Sequence, residues 1–197
     1  MTDPTLRRRE VVAALLEERG DLLVVAGLGS TAWDCTAAGD HPLTFPLWGA
    51  MGQAAMMGLG LALAHPSRRV LVVTGDGEML MGMGSLATIG VQRPANLSVV
   101  VIDNERYGET GMQATHTASG VDLAAVARAC GFPNSTTLTR AGEIAALRAA
   151  IHGQAGPNFA TVKVVADKIP IVLPPRDGGL LKARFRRALL GEAADSQ

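Results

Sequence analysis

Two short apolar runs, Val70-Leu71-Val72-Val73-Thr74 and Leu97-Ser98-Val99-Val100-Val101-Ile102, each stop at residues that can hold a ligand. Gly75-Asp76-Gly77 follows the first and Asp103-Asn104 the second. Runs this short and rich in β-branched residues suit strands buried on both faces, as in parallel sheets covered by helices. The segment from Gly82 to Gln92 can supply the crossover helix, so the unit reads as βαβ. Ligands of an open α/β sheet collect beyond the carboxyl ends of its strands, which sends Asp76 and Asn104 into one crevice. A carboxylate and an amide oxygen are hard donors suited to Mg²⁺, an ion that completes its octahedron with water and phosphate oxygens. The pattern therefore implies a phosphorylated ligand. Gly75 and Gly77 let the backbone turn and approach it, and the amides opening the next helix can bind an anion, for which a diphosphate fits best.

The chain has 197 residues, the size of one domain with a substantial core. That domain is expected to span residues 1–197, with its core over about 5–168 and an amphipathic tail over 176–197. Apolar residues make up 48% and charged residues 18%, which excludes a disordered chain. The formal net charge is zero, so no global field favours nucleic acid or an anionic membrane. No segment reads as a signal peptide, and no apolar run is long enough to span a bilayer. Cys35 and Cys130 lack the spacing of a zinc or redox site, so the cytoplasm is the expected compartment.

Along the chain, Thr2-Asp3-Pro4 reads as a helix start, with Val11, Val12, Leu15 and Leu16 following at helical spacing and Gly20-Asp21 as the end. Leu22 to Ala26 reads as the first strand, Thr44 to Leu47 as a short second strand, and Met51 to Ala64 as a helix packed between close neighbours. Glu105 to Gly120 is polar and irregular. A helix over Val121 to Ala129, an edge strand over Thr136 to Leu138, a helix over Ala141 to Ile151 and a last buried strand over Phe159 to Val165 complete the pattern. The tail from Leu180 to Leu190 reads as an amphipathic helix docked on its own domain or on a partner subunit.

The stretch GDGEMLMGMGSLATIGVQRPANLSVVVIDN resembles the signature of the thiamine diphosphate enzymes, a GDG followed at a set distance by an asparagine. The resemblance implies an α/β fold of the thiamine diphosphate-binding type, with a central, mostly parallel sheet flanked by helices on both faces. It implies that Asp76, the Asn104 side chain and the main-chain oxygen of Arg106 bind Mg²⁺, which in turn binds the diphosphate. Glu78 stands where many relatives have Ser, and Asp103 replaces a first Asn. The Glu78 carboxylate is expected to point away from the diphosphate, leaving its amide to help. Upstream, Trp48-Gly49-Ala50-Met51-Gly52 matches the position where the family wedges a large apolar residue beneath the cofactor. Met51 is then the wedge, and the Gly49 carbonyl accepts from the pyrimidine amino group. In Gly27-Leu28-Gly29-Ser30-Thr31, the amides and the Ser30 hydroxyl are expected to hold the distal phosphate, with Gly29 at the turn.

Over about residues 20 to 168 the chain is similar to the beta subunits of sulfopyruvate decarboxylase and to phosphonopyruvate decarboxylases, through their pattern DNxxYGxTGxQxTH(T/S). That resemblance implies a loop that covers the cofactor, with Tyr107 and Gly108 against it and His116 in a substrate or proton-transfer role. The implied reaction converts a 2-oxo acid into an aldehyde and CO₂. Family members also carry a pyrimidine-binding domain with an essential glutamate. Glu10, Glu17 and Glu18 lie on a surface helix, and Glu105 and Glu109 on the ligand-side loop, so a separate pyrimidine-binding (alpha) subunit is expected, alongside self-association. Alone, the chain should be nearly inactive. Two other readings stay open: a non-catalytic thiamine diphosphate-binding or regulatory module, and a dinucleotide-binding protein, since Gly27 to Ala32 also fits GxGxxA after a strand. Against the latter, no acid follows Thr44 to Leu47 to bind a ribose.

Overall fold

The two apolar runs lie side by side and parallel, with Val70 opposite Leu97 and Gly75 opposite Ile102. The computed structural model describes residues 5–195. In chain order the strands are β1 Leu23–Ala26, β2 Thr44–Pro46, β3 Val70–Gly75, β4 Leu97–Asp103, β5 Arg106–Tyr107, β6 Gln113–Ala114, β7 Asn134–Leu138 and β8 Asn158–Lys163. The helices are α1 Arg8–Leu16, α2 Ser30–Ala37, α3 Ala54–Ala64, α4 Asp76–Met81, α5 Ser85–Gln92, α6 Leu123–Ala129, α7 Ile144–Gly153 and α8 Gly178–Leu190. Six strands form one sheet in the order β2-β1-β3-β4-β8-β7, every neighbouring pair parallel. β5 and β6 form a separate antiparallel hairpin. The expected α/β architecture with a central parallel sheet is what the structure shows.

Side chains leaving alternate faces of each strand divide the interior into two cores. Val70 and Val72 of β3 and Leu97, Val99 and Val101 of β4 join the core under α3, α5 and α6. Leu71 and Val73, with Val100 and Ile102, join the core under α1, α2 and α7. Burial on both faces explains why these strands read as continuous apolar runs. The chain moves outward from β1 to β2, then returns past β1 to build β3, β4 and the rest on the other side. The carboxyl ends of β1 and β3 therefore flank the switch point, where an open sheet binds its ligand.

Several boundaries depart from the sequence reading. The expected helix start at Thr2-Asp3-Pro4 lies outside the described residues, but α1 begins only at Arg8, because the Leu6 carbonyl accepts the Val165 N–H at 2.8 Å beyond the end of β8. It also ends early, at Leu16, ahead of Glu18 in a left-handed conformation (φ 52°). Met51 does not open α3: Ala50 (φ 55°) and Gly52 (φ 90°) make a turn that no helix can continue, and α3 starts at Ala54. The crossover is two helices, α4 and α5, broken at Gly82. The loop after β4 carries the β5–β6 hairpin and a 3-10 turn over His116–Ser119. The tail helix α8 docks on its own domain, burying Leu181 and setting Phe185 edge-on to Phe45 at 5.6 Å. Among the described residues no helix is long and apolar enough to cross a membrane.

α3 reaches the sheet through Gly58, where a Cβ would stand 2.2 Å from Val72 Cγ2. Val72 is fully buried and, being β-branched, has no spare rotamer to move into. Gly58→Ala should destabilise the protein by about 1–3 kcal/mol despite the better helix propensity of alanine. Urea denaturation of the two forms measures the difference.

Candidate active site

The site lies at the carboxyl ends of β1, β3 and β4. β3 runs into α4 without a loop, so Asp76 is the first helical residue, and it is only 2% exposed. Its Oδ2 accepts the Thr115 hydroxyl at 2.6 Å. The Thr117 hydroxyl lies 2.8 Å from Asp103 Oδ1 and 3.3 Å from Asp76 Oδ2, and its single proton goes to the nearer acceptor. Both threonines are buried at the 3-10 turn after the hairpin, while His116 between them is exposed. Burial pushes the Asp76 carboxyl up to about 6, against the pull of the Thr115 hydroxyl and with the Asp103 charge adding to the rise.

At the end of β4 two successive side chains turn the backbone. Asp103 Oδ1 accepts the Glu105 N–H and Asn104 Oδ1 the Arg106 N–H, each at 3.0 Å, and Glu105 sits at φ 61° between them. This double turn sends the chain into β5 and sets Asn104 and Arg106, both half-buried, beside the head of α4. The Tyr107 ring lies against Gly77, where a Cβ would be 2.5 Å from Cε1. Gly108 is exposed, next to the hairpin's Met112.

The Glu78 carboxylate turns inward under the loop after β1. Its Oε2 accepts the Leu28 N–H at 3.0 Å and the Thr74 hydroxyl at 2.9 Å, and a Cβ on Gly27 would collide with it at 2.0 Å. Burial raises its pKa over the opposing hydrogen bonds, and Oε1 is buried without a partner of hydrogen-bonding geometry. With the Gly27 amide bonded to Val73, the loop's first two N–H groups are already used. What remains for a ligand is the start of α2, at Gly29 (φ 75°) and the half-buried Ser30. A Cβ on Gly29 would meet Glu109 Oε1 at 1.6 Å, so an anionic oxygen already lies in that cradle.

Met51 is half-buried at the crest of its turn, with Gly49 exposed beside it. The turn rests on the α4–α5 break, where a Cβ on Gly82 would stand 2.0 Å from the Gly52 carbonyl oxygen. Of the glutamates considered for the pyrimidine, Glu17 pairs with Arg148 of α7, away from the site, and Glu105 with Lys163 at 2.7 Å. The sequence reading missed Lys163, which also pairs with Asp103 at 2.8 Å, and the carboxylate contacts of Thr115 and Thr117. A lysine at the end of the mostly apolar last strand was the available signal.

Residues 29–164 match the thiamine pyrophosphate enzyme C-terminal TPP binding domain. The chain belongs to the thiamine pyrophosphate enzymes. It is 35% identical to the sulfopyruvate decarboxylase subunit beta of Methanothermobacter thermautotrophicus over 96% of this chain and 99% of that protein. It is 47% identical to the phosphonopyruvate decarboxylase of Streptomyces viridochromogenes over 60% of this chain but only 29% of that enzyme. Benzoylformate decarboxylase from Polynucleobacter necessarius superposes with a TM-score of 0.71 at 20% identity, over 85% of this chain and 34% of that one, which supports the shared fold. The resemblance stated from the motifs holds, and the domain found is the one that binds thiamine diphosphate.

Because the folded chain raises the Asp76 pKa from 3.8 to about 6, it binds more protons than the unfolded chain between those values. This contribution to stability is therefore full below about 4 and is lost as pH rises through 6. For the chain free of cofactor and metal, Asp76→Asn should raise the melting temperature at pH 7 and flatten its dependence between pH 4 and 6. Thermal melts across that range check it.

Proposed function

We propose that this chain is the diphosphate- and Mg²⁺-binding subunit of a heteromeric 2-oxo acid decarboxylase of sulfopyruvate or phosphonopyruvate type, yielding an aldehyde and CO₂. The observation that carries the reading is the buried Asp76 at the head of α4, beside the Asn104 turn and facing the switch point of the sheet. An acid held at that cost in solvation favours a cation partner. The similarity to a sulfopyruvate decarboxylase subunit over nearly the whole of both chains supports the substrate class and the need for a second subunit.

The residues present fit the cofactor's diphosphate end. Asp76, the Asn104 amide oxygen and the Arg106 carbonyl are the hard donors that would hold Mg²⁺. Gly29 and Ser30, opening α2, and Gly75, Gly77 and the Glu78 amide, opening α4, would hold the diphosphate. Without a side chain, Gly29 leaves a space that the Glu109 carboxylate enters and that a phosphate oxygen would contest. Glu78 acts from below, fixing the loop after β1 through Leu28. Tyr107 and Gly108 would cover the diphosphate, with the Tyr107 ring seated on Gly77. Met51 and the Gly49 carbonyl would orient the aminopyrimidine, a contribution by positioning. When bound, thiamine diphosphate supplies the carbon nucleophile and the electron sink for decarboxylation. His116, exposed between two anchored threonines, is placed to meet substrate or pass a proton at the loop's outer edge. The pyrimidine-binding subunit would bring the glutamate that acts on the pyrimidine, and this chain would also associate with itself.

Mixing the chain with a pyrimidine-domain subunit should restore CO₂ release from sulfopyruvate or phosphonopyruvate, with little turnover by either part alone. Asp76→Ala should lower kcat/KM at least about 100-fold, beyond the loss expected from groups that only orient ligands. Full activity in the lone chain, or in the Asp76→Ala complex, would refute the assignment. Calorimetry with thiamine diphosphate and Mg²⁺ separates a catalytic subunit from a module that only binds.

A further inference from the structure

We propose that Lys163 is a positioning residue that holds Asp103 off the cation, leaving Asp76 as the only anionic protein ligand and making cation capture depend on the diphosphate. The inference rests on the metal and diphosphate reading of the site given above.

Asp76 and Asp103 are 2% and 1% exposed, and one hydroxyl, Thr117 Oγ1, lies 3.3 Å from the first and 2.8 Å from the second. Two carboxylates this close could both turn onto a divalent ion. Such a site would neutralise the ion's charge, favour Ca²⁺ with its larger oxygen shell, and leave little attraction for a diphosphate. Both oxygens of Asp103 are, however, already engaged within the protein. Its Oδ2 binds Lys163 Nζ at 2.8 Å, and its Oδ1 accepts from the Glu105 N–H at 3.0 Å and from Thr117.

The pairing is built into the sheet. Asp103 and Lys163 are register partners at the ends of parallel β4 and β8, and the Val164 N–H continues the ladder to the Asp103 carbonyl at 2.9 Å. Lys163 keeps its charge there: burial works against it, but the hydrogen bonds to Asp103 and Glu105 outweigh burial and raise its pKa. Asp103 and Lys163 together are electrically equivalent to a neutral side chain. Glu105, the second partner of Lys163, is partly exposed and more strongly screened by water. Of the two carboxylates that Thr117 reaches, only Asp76 is then left without a cationic side-chain partner.

The two single substitutions should move cation affinity in opposite directions. With the full chain, alone and assembled with its pyrimidine-domain subunit, Mg²⁺ and Ca²⁺ are titrated by calorimetry with and without saturating thiamine diphosphate. Wild type should bind Mg²⁺ with the cofactor and hold either ion weakly without it. Lys163→Met should bind Ca²⁺ or Mg²⁺ without cofactor on the order of tenfold more tightly than wild type. Asp103→Asn, which leaves the lysine with only Glu105, should weaken Mg²⁺ in the cofactor complex by about tenfold. The double variant Asp103→Asn/Lys163→Met should return to within about threefold of wild type. A merely structural pair would lose affinity in both single variants. If Lys163→Met does not fold, restoration of Mg²⁺ affinity in the double variant relative to Asp103→Asn carries the test. Tight cation binding by wild type without cofactor, no gain in Lys163→Met, or no restoration in the double variant would each overturn the inference. Failure of wild type to bind Mg²⁺ and cofactor at all would instead defeat the functional assignment beneath it.

Discussion

Everything at the site depends on the parallel register of β3 against β4. Gly75 lies opposite Ile102, so the residues that follow, Asp76 on one side and Asp103-Asn104 on the other, leave the sheet at one level. Neither strand has a connecting loop to absorb an error: β3 becomes α4 at Asp76, and β4 turns on the side chains of Asp103 and Asn104 themselves. A slip of one residue would exchange the two faces of the strand and move the acid out of the crevice. The apolar alternation that separates the two cores thus also fixes where the chemistry sits.

The crevice gathers more acid than its surroundings tolerate easily. Asp76 and Glu78 are both raised in pKa by burial, and of the three buried acids Asp76, Glu78 and Asp103 the last alone has a cationic partner among the described residues. Hydroxyls do the remaining work, from Thr115 and Thr117 on one side and Thr74 on the other. Such an arrangement is less stable than a neutral one of the same shape, and it persists where a ligand of opposite charge completes it. The Glu78 carboxylate shows a different use of the same chemistry. By accepting the Leu28 N–H it joins the first turn of α4 to the loop after β1, across the point where the two halves of the sheet diverge.

Fold class, the six strands of the sheet and the placement of Asp76 and Asn104 at adjacent strand ends were legible in the sequence because they rest on local signals: apolar runs, glycine turns and a spaced Asp and Asn. The departures are cases where a distant contact overrode the local pattern. Leu6 is extended because its carbonyl completes the hydrogen bonding past β8, and the crossover helix breaks at Gly82, where the Gly52 backbone passes too close for any side chain. His116 is the titratable member of its motif, yet the flanking threonines are the residues that turn inward. Lys163 meets Asp103 only through the pairing of β4 with β8, since 60 positions of chain separate the two and no spacing rule links them.

The Trp48 indole N–H donates to the Pro175 carbonyl at 2.7 Å, and the Arg176 guanidinium lies over the same ring, 5.8 Å from its centre. Trp48 immediately precedes the Gly49 to Met51 turn, and Pro175 leads directly into α8, whose Phe185 packs on β2. The crest that carries Met51 is therefore moored from the far end of the polypeptide. Cutting the chain before Pro175 would remove both contacts and set that crest loose.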